Sequence, residues 1–382
     1  MVNYVKLGDI GEIFIGLTYK PENVSTEGMI VLRSSNIQDG ELDFNDTVRV
    51  NCPVRENLLV KPNDILMCSR NGSAKLVGKC TMLPRMSEPM TFGAFMTIIR
   101  TPYNSYLRYF FDSSAFRNQI KGSATTTINQ ITRKMLDEIE VPVFDVESQI
   151  RITTQFEKLS KLIAMRKEQL AKLDELVKAR FVEMFGNVES NPNGHPVKNF
   201  DEISTLITDG EHATPRRTDK GIYLLSARNV LNHALQLNDV DYIDEEEYAR
   251  IARRVVPQAG DVLISCSGSI GRCCLVPNGL KFQMVRSAAV IRFNDEINPI
   301  FAEWLITSDE LQRQILQSAT QSSQANLFQG KIRKLHGYVP PLELQNQFAT
   351  FVEQTNKTKL TIQASLDKLE VMKKALMQEY FG

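Results

Sequence analysis

Apolar and long side chains recur in alternating steps of four and three along one stretch: Ile152, Phe156, Leu159, Ile163, Arg166, Leu170, Leu173, Val177 and Arg180. That spacing is the seam of a coiled-coil helix. The same steps return 196 residues later in Phe348, Val352, Thr355, Lys359, Ile362, Leu366, Leu369, Lys373 and Leu376, and Phe185-Gly186 recurs as Phe381-Gly382. The chain therefore contains an internal duplication, each copy ending in a long helix. Polar residues interrupt the seam at different layers, Arg166 and Arg180 in the first copy and Thr355, Lys359 and Lys373 in the second. A polar seam position lowers stability but fixes register and partner. The two helices are expected to pair with each other, through Phe156, Leu159, Ile163, Leu170, Leu173 and Val177 on one side and Val352, Ile362, Leu366, Leu369 and Leu376 on the other.

The duplication extends beyond the helices. Leu7, Asp9 and Ile10 correspond to Phe200, Glu202 and Ile203, and Gly16 and Pro21 to Gly210 and Pro215. Asp64-Ile65-Leu66 answers Asp261-Val262-Leu263, and Ser123-Ala124-Thr125 answers Ser318-Ala319-Thr320. Short β-branched runs such as residues 29–32, 64–68 and 97–100, punctuated by Gly, Asn and Pro, make the first 145 residues strand-rich. One helix is predicted over residues 105–121 and its counterpart over 301–315, from apolar residues at helical intervals.

Residues 187–197, rich in Asn, Pro and Gly, read as a linker. A seam helix of about 30 residues is roughly 45 Å long, whereas about 11 extended residues reach at most some 35 to 40 Å. Parallel helices would need the linker to return along the whole rod. Antiparallel pairing avoids this and predicts a dumbbell with an approximate two-fold axis.

With 382 residues, 42% of them hydrophobic, the chain can bury two ordinary cores. Its 45 basic and 45 acidic residues cancel, so any nucleic-acid surface must be local. The N-terminus lacks the pattern of a signal peptide and no apolar run approaches a membrane span, which leads us to expect a cytoplasmic protein with reduced cysteines. Cys266, Cys273 and Cys274 with His212 match no common zinc spacing, so no metal site is expected.

Catalytic signatures are equally sparse. Gly72-Ser73-Ala74-Lys75-Leu76-Val77-Gly78-Lys79-Cys80 looks like a phosphate-binding loop but has five residues between its glycines and Cys after the Lys, and its repeat Gly268-Ser269-Ile270-Gly271-Arg272-Cys273 has no Lys. There is no aromatic-ended double-proline run of the kind amino-methyltransferases carry, no GxGxxG after a strand and no shared nuclease-like carboxylate cluster. None of His195, His212, His233 and His336 has an obvious nucleophile partner. No catalytic residue is assigned.

The chain does place polar and basic residues in loops between strands. In the first half these are Arg33, Ser34, Asn36, Ser69, Arg70, Asn71, Ser73 and Lys75. In the second they are His212, Thr214, Arg216, Arg217, Ser226, Arg228, Asn229, Ser267, Ser269 and Arg272. Such side chains read base edges and hold phosphates, although any one of them could equally be a solvated turn. The acidic run at residues 241–247 reads as a solvated face, which would repel DNA if it faced it.

Three stretches carry a family likeness: Thr208-Asp209-Gly210-Glu211-His212-Ala213-Thr214-Pro215, Gly260-Asp261-Val262-Leu263-Ile264-Ser265 running on to Gly268-Ser269-Ile270-Gly271-Arg272, and Val339-Pro340-Pro341-Leu342-Glu343-Leu344-Gln345 leading into a long helix. Their order resembles that of type I restriction-modification specificity subunits. The first half departs from it, with Gly16-Leu17-Thr18-Tyr19-Lys20-Pro21 in place of the His-containing motif and Val141-Pro142-Val143-Phe144 in place of the double proline.

The resemblance implies an α+β fold with two similar mixed α/β target-recognition domains, residues 1–145 and 198–342. Between them stand two long antiparallel coiled-coil helices, 146–186 and 343–382, in a pseudo-two-fold internal repeat. It also implies a non-catalytic subunit that reads a bipartite, asymmetric double-stranded DNA target and carries no cofactor. Its partners would be two modification subunits, which use S-adenosylmethionine to methylate adenine, and restriction subunits, which use ATP and Mg. From the loop residues above, the expected DNA contacts are Arg33, Asn36, Ser69, Arg70, Asn71, Lys75, His212, Thr214, Arg216, Arg217, Arg228, Ser267, Ser269 and Arg272, of which His212, Arg216, Arg217 and Arg272 lie in loops that the resemblance makes DNA-facing. A rod of roughly 45 Å exceeds one DNA turn of about 34 Å, so a non-specific gap between half-sites is expected. The competing readings are a chain that itself methylates or cuts DNA, which the missing motifs oppose, and a coiled-coil adaptor that never touches DNA.

Overall fold

In each half, a short strand near the start pairs with the strand that leads into the long helix. Asn3–Lys6 runs antiparallel to Glu140–Val143, and Val197–Asn199 to His336–Tyr338. The next residue repeats one bond: the Leu7 N–H donates to Ile139 O (2.8 Å) and the Phe200 N–H to Leu335 O (2.9 Å). The computed structural model describes residues 3–122, 130–187, 190–319 and 326–382. The expected match of Ser123-Ala124-Thr125 with Thr320 lies outside the described residues. The chain divides into two compact units, Met1–Lys167 with Gln363–Gly382, and Glu168–Ile362.

Unit 1 has a four-stranded antiparallel sheet in the order Glu12–Ile15, Met96–Arg100, Ile65–Cys68, Cys80–Met82. Unit 2 repeats it as Ser204–Asp209, Ala288–Phe293, Val262–Ser265, Cys273–Leu275. A second sheet follows the same plan in both. Met29–Leu32 lies between a parallel strand, Met90–Phe92, and an antiparallel one, Val48–Val50. In unit 2, Ile222–Leu225 lies between Phe282–Met284 and Asp241–Ile243. Unit 1 adds an edge strand, Val24–Ser25.

The strands are short and fully buried where they cross the middle of the sheet, as in Ile65–Cys68 and Val262–Ser265. Burial on both faces explains their unbroken apolar runs. One side of the four-stranded sheet packs on helices, with Ile65, Met67 and Ile99 against Tyr106, Phe110 and Phe111 in unit 1. The other side meets the second sheet, where Leu66 and Ile98 join Leu32 and Phe92. Unit 2 is built alike, with Phe301 and Leu305 in one core and Leu225, Leu263 and Met284 in the other.

The helix expected over 105–121 is two helices, Asn104–Phe110 and Ser114–Gly122, and the one expected over 301–315 is Pro299–Ile306 followed by Asp309–Ala319. Both breaks fall at a serine. Ser113 Oγ accepts from the Phe116 N–H (3.2 Å), and Ser308 Oγ donates to Leu305 O (2.6 Å). A hydroxyl that competes with the backbone in this way ends one helix and starts the next.

The long helices are Val146–Phe185 and Leu342–Phe381, each of 40 residues. At 1.5 Å per residue each is about 60 Å long, longer than the roughly 45 Å expected. Asp145 starts the first by accepting from the Ser148 N–H (2.8 Å), and Gln149 Nε2 donates back to Phe144 O (2.7 Å). The buried Gln345 repeats this on Pro340 O (2.8 Å) and also accepts from the Asn298 N–H (2.8 Å). Gly186, in the left-handed region at φ 79°, ends the first helix.

The helices run antiparallel in each unit. In unit 1 Phe156 stacks on Phe381 (6.1 Å) and Gln155 meets Tyr380 Oη (2.8 Å). In unit 2 Phe181 meets Phe348 edge-on (5.3 Å), the Arg180 guanidinium lies over Phe351, and Lys359 pairs with Asp174. Every seam residue of both helices is buried or half-buried. Lys359 and Arg180 thus reach across to the facing helix, and two polar seam residues also bond locally, Thr355 Oγ1 donating to Phe351 O (2.9 Å) and Arg180 pairing with Glu183 (2.8 Å).

Candidate nucleic-acid interface

Both candidate loop sets rest on the same device, a buried asparagine. Asn36 Oδ1 accepts from the Arg33 N–H (2.8 Å), while its Nδ2 donates to Asp43 O and Asp46 O (both 2.9 Å). Asn229 does the same with the Ser226 N–H (2.9 Å), Gln236 O (3.0 Å) and Asp239 O (2.8 Å). Asn36 is wholly buried. Its amide holds the loop together and cannot reach DNA, which removes it from the expected contacts. The hairpins that follow, Ile37–Gln38 with Glu41–Leu42 and Val230–Leu231 with Ala234–Leu235, project from these clamps. The tight turn of the first is Asp39-Gly40, both at positive φ.

Ser69 is also mostly buried. Its Oγ and its N–H both donate to Phe95 O (3.1 and 2.9 Å), as does the Arg70 N–H (3.1 Å). These bonds fix a rigid turn, and Ser69 too is corrected from DNA contact to loop support. Arg272 is half-buried and donates through Nη2 to Ala227 O (2.9 Å), tying its loop to the Asn229 clamp. Asn71 ties unit 1 in the same place, through Nδ2 to Ser34 Oγ (3.3 Å).

The exposed remainder of the unit 1 set is Arg70 and Lys75, with Arg33 half-buried and paired to Asp46 (2.7 Å). Arg70 lies over the ring of Phe95 at 5.3 Å, and that ring is 56% exposed. Phe95 was not anticipated from the sequence.

In unit 2 the exposed cations are gathered on the acidic segment. Asp241 accepts from Arg217 Nε (3.0 Å) with one oxygen and from Arg228 Nη2 (3.0 Å) with the other. Arg216 Nη2 bridges Asp244 and Glu246 (both 2.8 Å). Residues 241–247 thus partner the candidate arginines while remaining largely solvated, with Glu245 75% and Glu246 85% exposed. Asp241 is pushed up by partial burial, but Arg217 and Arg228 outweigh this and hold it below the usual carboxylate range. Asp244 is held low chiefly by the Glu247 N–H, with Arg216 adding to it.

A second cluster adjoins these. Asp209 accepts from His212 Nε2 (2.8 Å), from Arg254 and from Gln329. Glu211 pairs with Arg250 (3.4 Å), which also holds Glu247 (2.8 Å). Arg250 and Arg254 were missed by sequence reasoning; their spacing of four after the acidic run was the available signal. Thr214 and Ser269 are exposed and Ser267 half-buried.

Among the described residues no three His, Cys, Asp or Glu side chains could hold a metal, and no helix is long and apolar enough to cross a membrane. Cys266, Cys273 and Cys274 are buried, and burial pushes the Cys266 and Cys274 thiols up to about 12.

Residues 202–371 match the family model of the type I restriction modification DNA specificity domain. The chain is 24% identical over 367 residues to the type I restriction enzyme EcoKI specificity subunit of Escherichia coli K12, covering 89% of this chain and 78% of that one. It is 32% identical over 170 residues to the StySPI specificity subunit of Salmonella potsdam, 42% of this chain and 36% of that one. Its fold resembles the S subunit of a type I restriction-modification system from M. genitalium, with TM-score 0.61 at 13% identity over 100% of this chain and 96% of that one. A structure concerned with assembly and conformational transition of the type I R-M system gives TM-score 0.59 at 16% identity, over 100% and 97%. Residues 202–371 thus carry a match to the type I restriction modification DNA specificity domain, and the chain is similar along nearly its whole length to type I specificity subunits, whose fold of two repeated α/β units and two long paired helices it shares.

Proposed function

We propose that the two α/β domains, residues 1–145 and 198–342, each read one half of a bipartite, asymmetric DNA target, and that residues 146–186 and 343–382 with the 187–197 linker join them. On this reading the chain is a non-catalytic specificity subunit that brings no cofactor. The reading therefore assigns methyl transfer and cleavage to partner modification and restriction subunits, assembled with this chain on DNA in the cytoplasm. The observation that carries it is a shared scaffold with divergent loops. Where unit 2 has Asp209, His212 and Arg254, unit 1 has the exposed Ile15 beside Gly16. Where unit 1 has Phe95 under Arg70, the matching turn of unit 2 carries Ser287, which accepts from the Ala227 N–H (3.0 Å). Two readers with different side chains on one frame suit two different half-sites.

In unit 1 the proposed contacts are Arg33, Arg70, Asn71 and Lys75. In unit 2 they are His212, Thr214, Arg216, Arg217, Arg228, Ser267 and Ser269, with Arg272 in support. The test is an exchange of residues 198–338 for the same segment of a relative, followed by genome-wide mapping of methylated adenines. One half-site should change and the other persist. If both change together, the two-reader model fails.

A further inference from the structure

The acidic segment of unit 2 meets the arginines of the candidate interface, and we propose that Asp241, Asp244 and Glu246 are built-in competitors of DNA for those arginines, an autoinhibitory contact. They hold Arg216, Arg217 and Arg228 when no DNA is bound, and so suppress binding to duplexes that cannot displace them. This rests on the reading of unit 2 as a DNA reader.

The geometry separates fixed acids from movable bases. Asp241 stands on a strand, opposite Leu224 in the pairing with Ile222–Leu225. Asp244 is the N-cap of the helix Glu245–Ala252, accepting from the Glu247 N–H (2.8 Å). The Asp244 carboxylate is therefore held by the backbone and Asp241 projects from a paired strand, while Glu246, in the first turn of the same helix, is 85% exposed. The arginines reach them through long side chains and are 47 to 58% exposed in their pairs. Such pairs are individually weak and exchange readily, so a guanidinium can swing to another acceptor without disturbing the strand or the helix.

A DNA phosphate offers the same guanidinium the same kind of contact as the carboxylate it leaves. Non-specific binding consists almost wholly of such phosphate contacts, so exchanging carboxylate for phosphate gains little. A target adds hydrogen bonds to base edges, which the carboxylates cannot imitate. The cost of leaving the carboxylates is the same for either duplex, so the acidic segment lowers both affinities, and only a duplex whose base contacts add to its phosphate contacts still binds tightly.

The test uses the full chain carrying Asp241→Asn, Asp244→Asn and Glu246→Gln together; Asn at 244 retains a capping side chain, and thermal unfolding checks the fold. Binding is titrated at fixed salt with a random-sequence duplex and with the duplex identified by methylation mapping. The random-sequence affinity should rise about five- to thirtyfold, the product of several weak pairs, and the target affinity should rise by a comparable factor. Unchanged random-sequence affinity overturns the proposal, as does a loss of target affinity, which would mean that the carboxylates themselves read bases. In parallel, Arg216→Ala, Arg217→Ala and Arg228→Ala should each weaken binding. If none does while Arg70→Ala does, the placement of the unit 2 interface is wrong and the proposal falls with it. If they weaken binding but the acidic variant changes nothing, only the proposal falls.

Discussion

Asp261 holds Arg292 with both carboxylate oxygens, from Nε at 2.7 Å and from Nη2 at 2.7 Å, and in unit 1 Asp64 holds Arg100 in the same way at 2.7 and 2.6 Å. The carboxylates are almost fully buried, and each also caps a turn, Asp261 from the Gln258 N–H and Asp64 from the Lys61 N–H (both 2.8 Å). Removing one member of such a pair leaves the other uncompensated. Because the arginines stay partly exposed, Asp261→Asn should cost about 2 to 3 kcal/mol, below the range for a fully buried pair. Denaturant unfolding should show the loss in unit 2, and Asp64→Asn should show it in unit 1.

Gly210 and Gly16 occupy equivalent places where a Cβ would run into the backbone, at Met284 O in one and Gly93 O in the other. The loop carrying His212 and Arg216 starts there, with the Glu211 N–H bonded to Met284 O (2.9 Å). Gly210→Ala should therefore destabilise unit 2 by about 2 kcal/mol or more and weaken DNA binding. Gly330→Ala, which meets open space in the short helix Gln329–Ile332, should be neutral or stabilising by about 0.5 to 1 kcal/mol. Thermal unfolding of the two variants makes the comparison.

Asp241, Asp244 and Glu247 are all held below their ordinary pKa in the folded state. A depressed carboxylate contributes stability that is present above its unfolded pKa and lost as pH falls through the folded one. The melting temperature of unit 2 should thus be level between about pH 7 and 5.5 on account of these groups and decline below about pH 4. Asp241→Asn should flatten that decline. A melting series across pH for both proteins decides it.

Phe185 lies at the centre of an aromatic cluster, 4.9 Å from Phe301 and 5.5 Å from Phe348. Phe185→Ala should cost about 3 to 5 kcal/mol and lower the denaturation midpoint of unit 2. The exposed Val182, on the same helix, should tolerate alanine with a change within about 0.5 kcal/mol.

The paired helices were legible because a seam of period 3.5 persists over many turns, and the repeat because the sequence correspondences hold with little drift. The seam alone shows only about 30 residues of the first helix, and the start at 146 comes from the family resemblance. Its opening turns carry exposed Val146 and Ile150, which add no periodic signal, and only the Asp145 cap marks the start. Phe110 and Phe111 carry the apolar pattern up to the helix break, so Ser113 was read through as helix. The loop residues were legible as a class but not in their roles. Asn36 looks like a surface loop residue until the carbonyls of Asp43 and Asp46 are seen to close around it. The arginines of unit 2 find acids 13 to 30 residues away in the chain, a distance at which local pattern carries no information.

Unit 2 is one unbroken stretch, Glu168–Ile362, whereas unit 1 needs Gln363–Gly382 as well as Met1–Lys167. On the ribosome the half synthesised first is therefore completed last. Until residues 363–382 emerge, the aromatic face around Phe110, Phe144 and Phe156 lacks the Phe381 ring that covers it. The opening domain must wait, partly uncovered, while the second is made in full. A premature stop near residue 362 would consequently spare the later domain and injure the earlier one, the reverse of what position in the chain suggests.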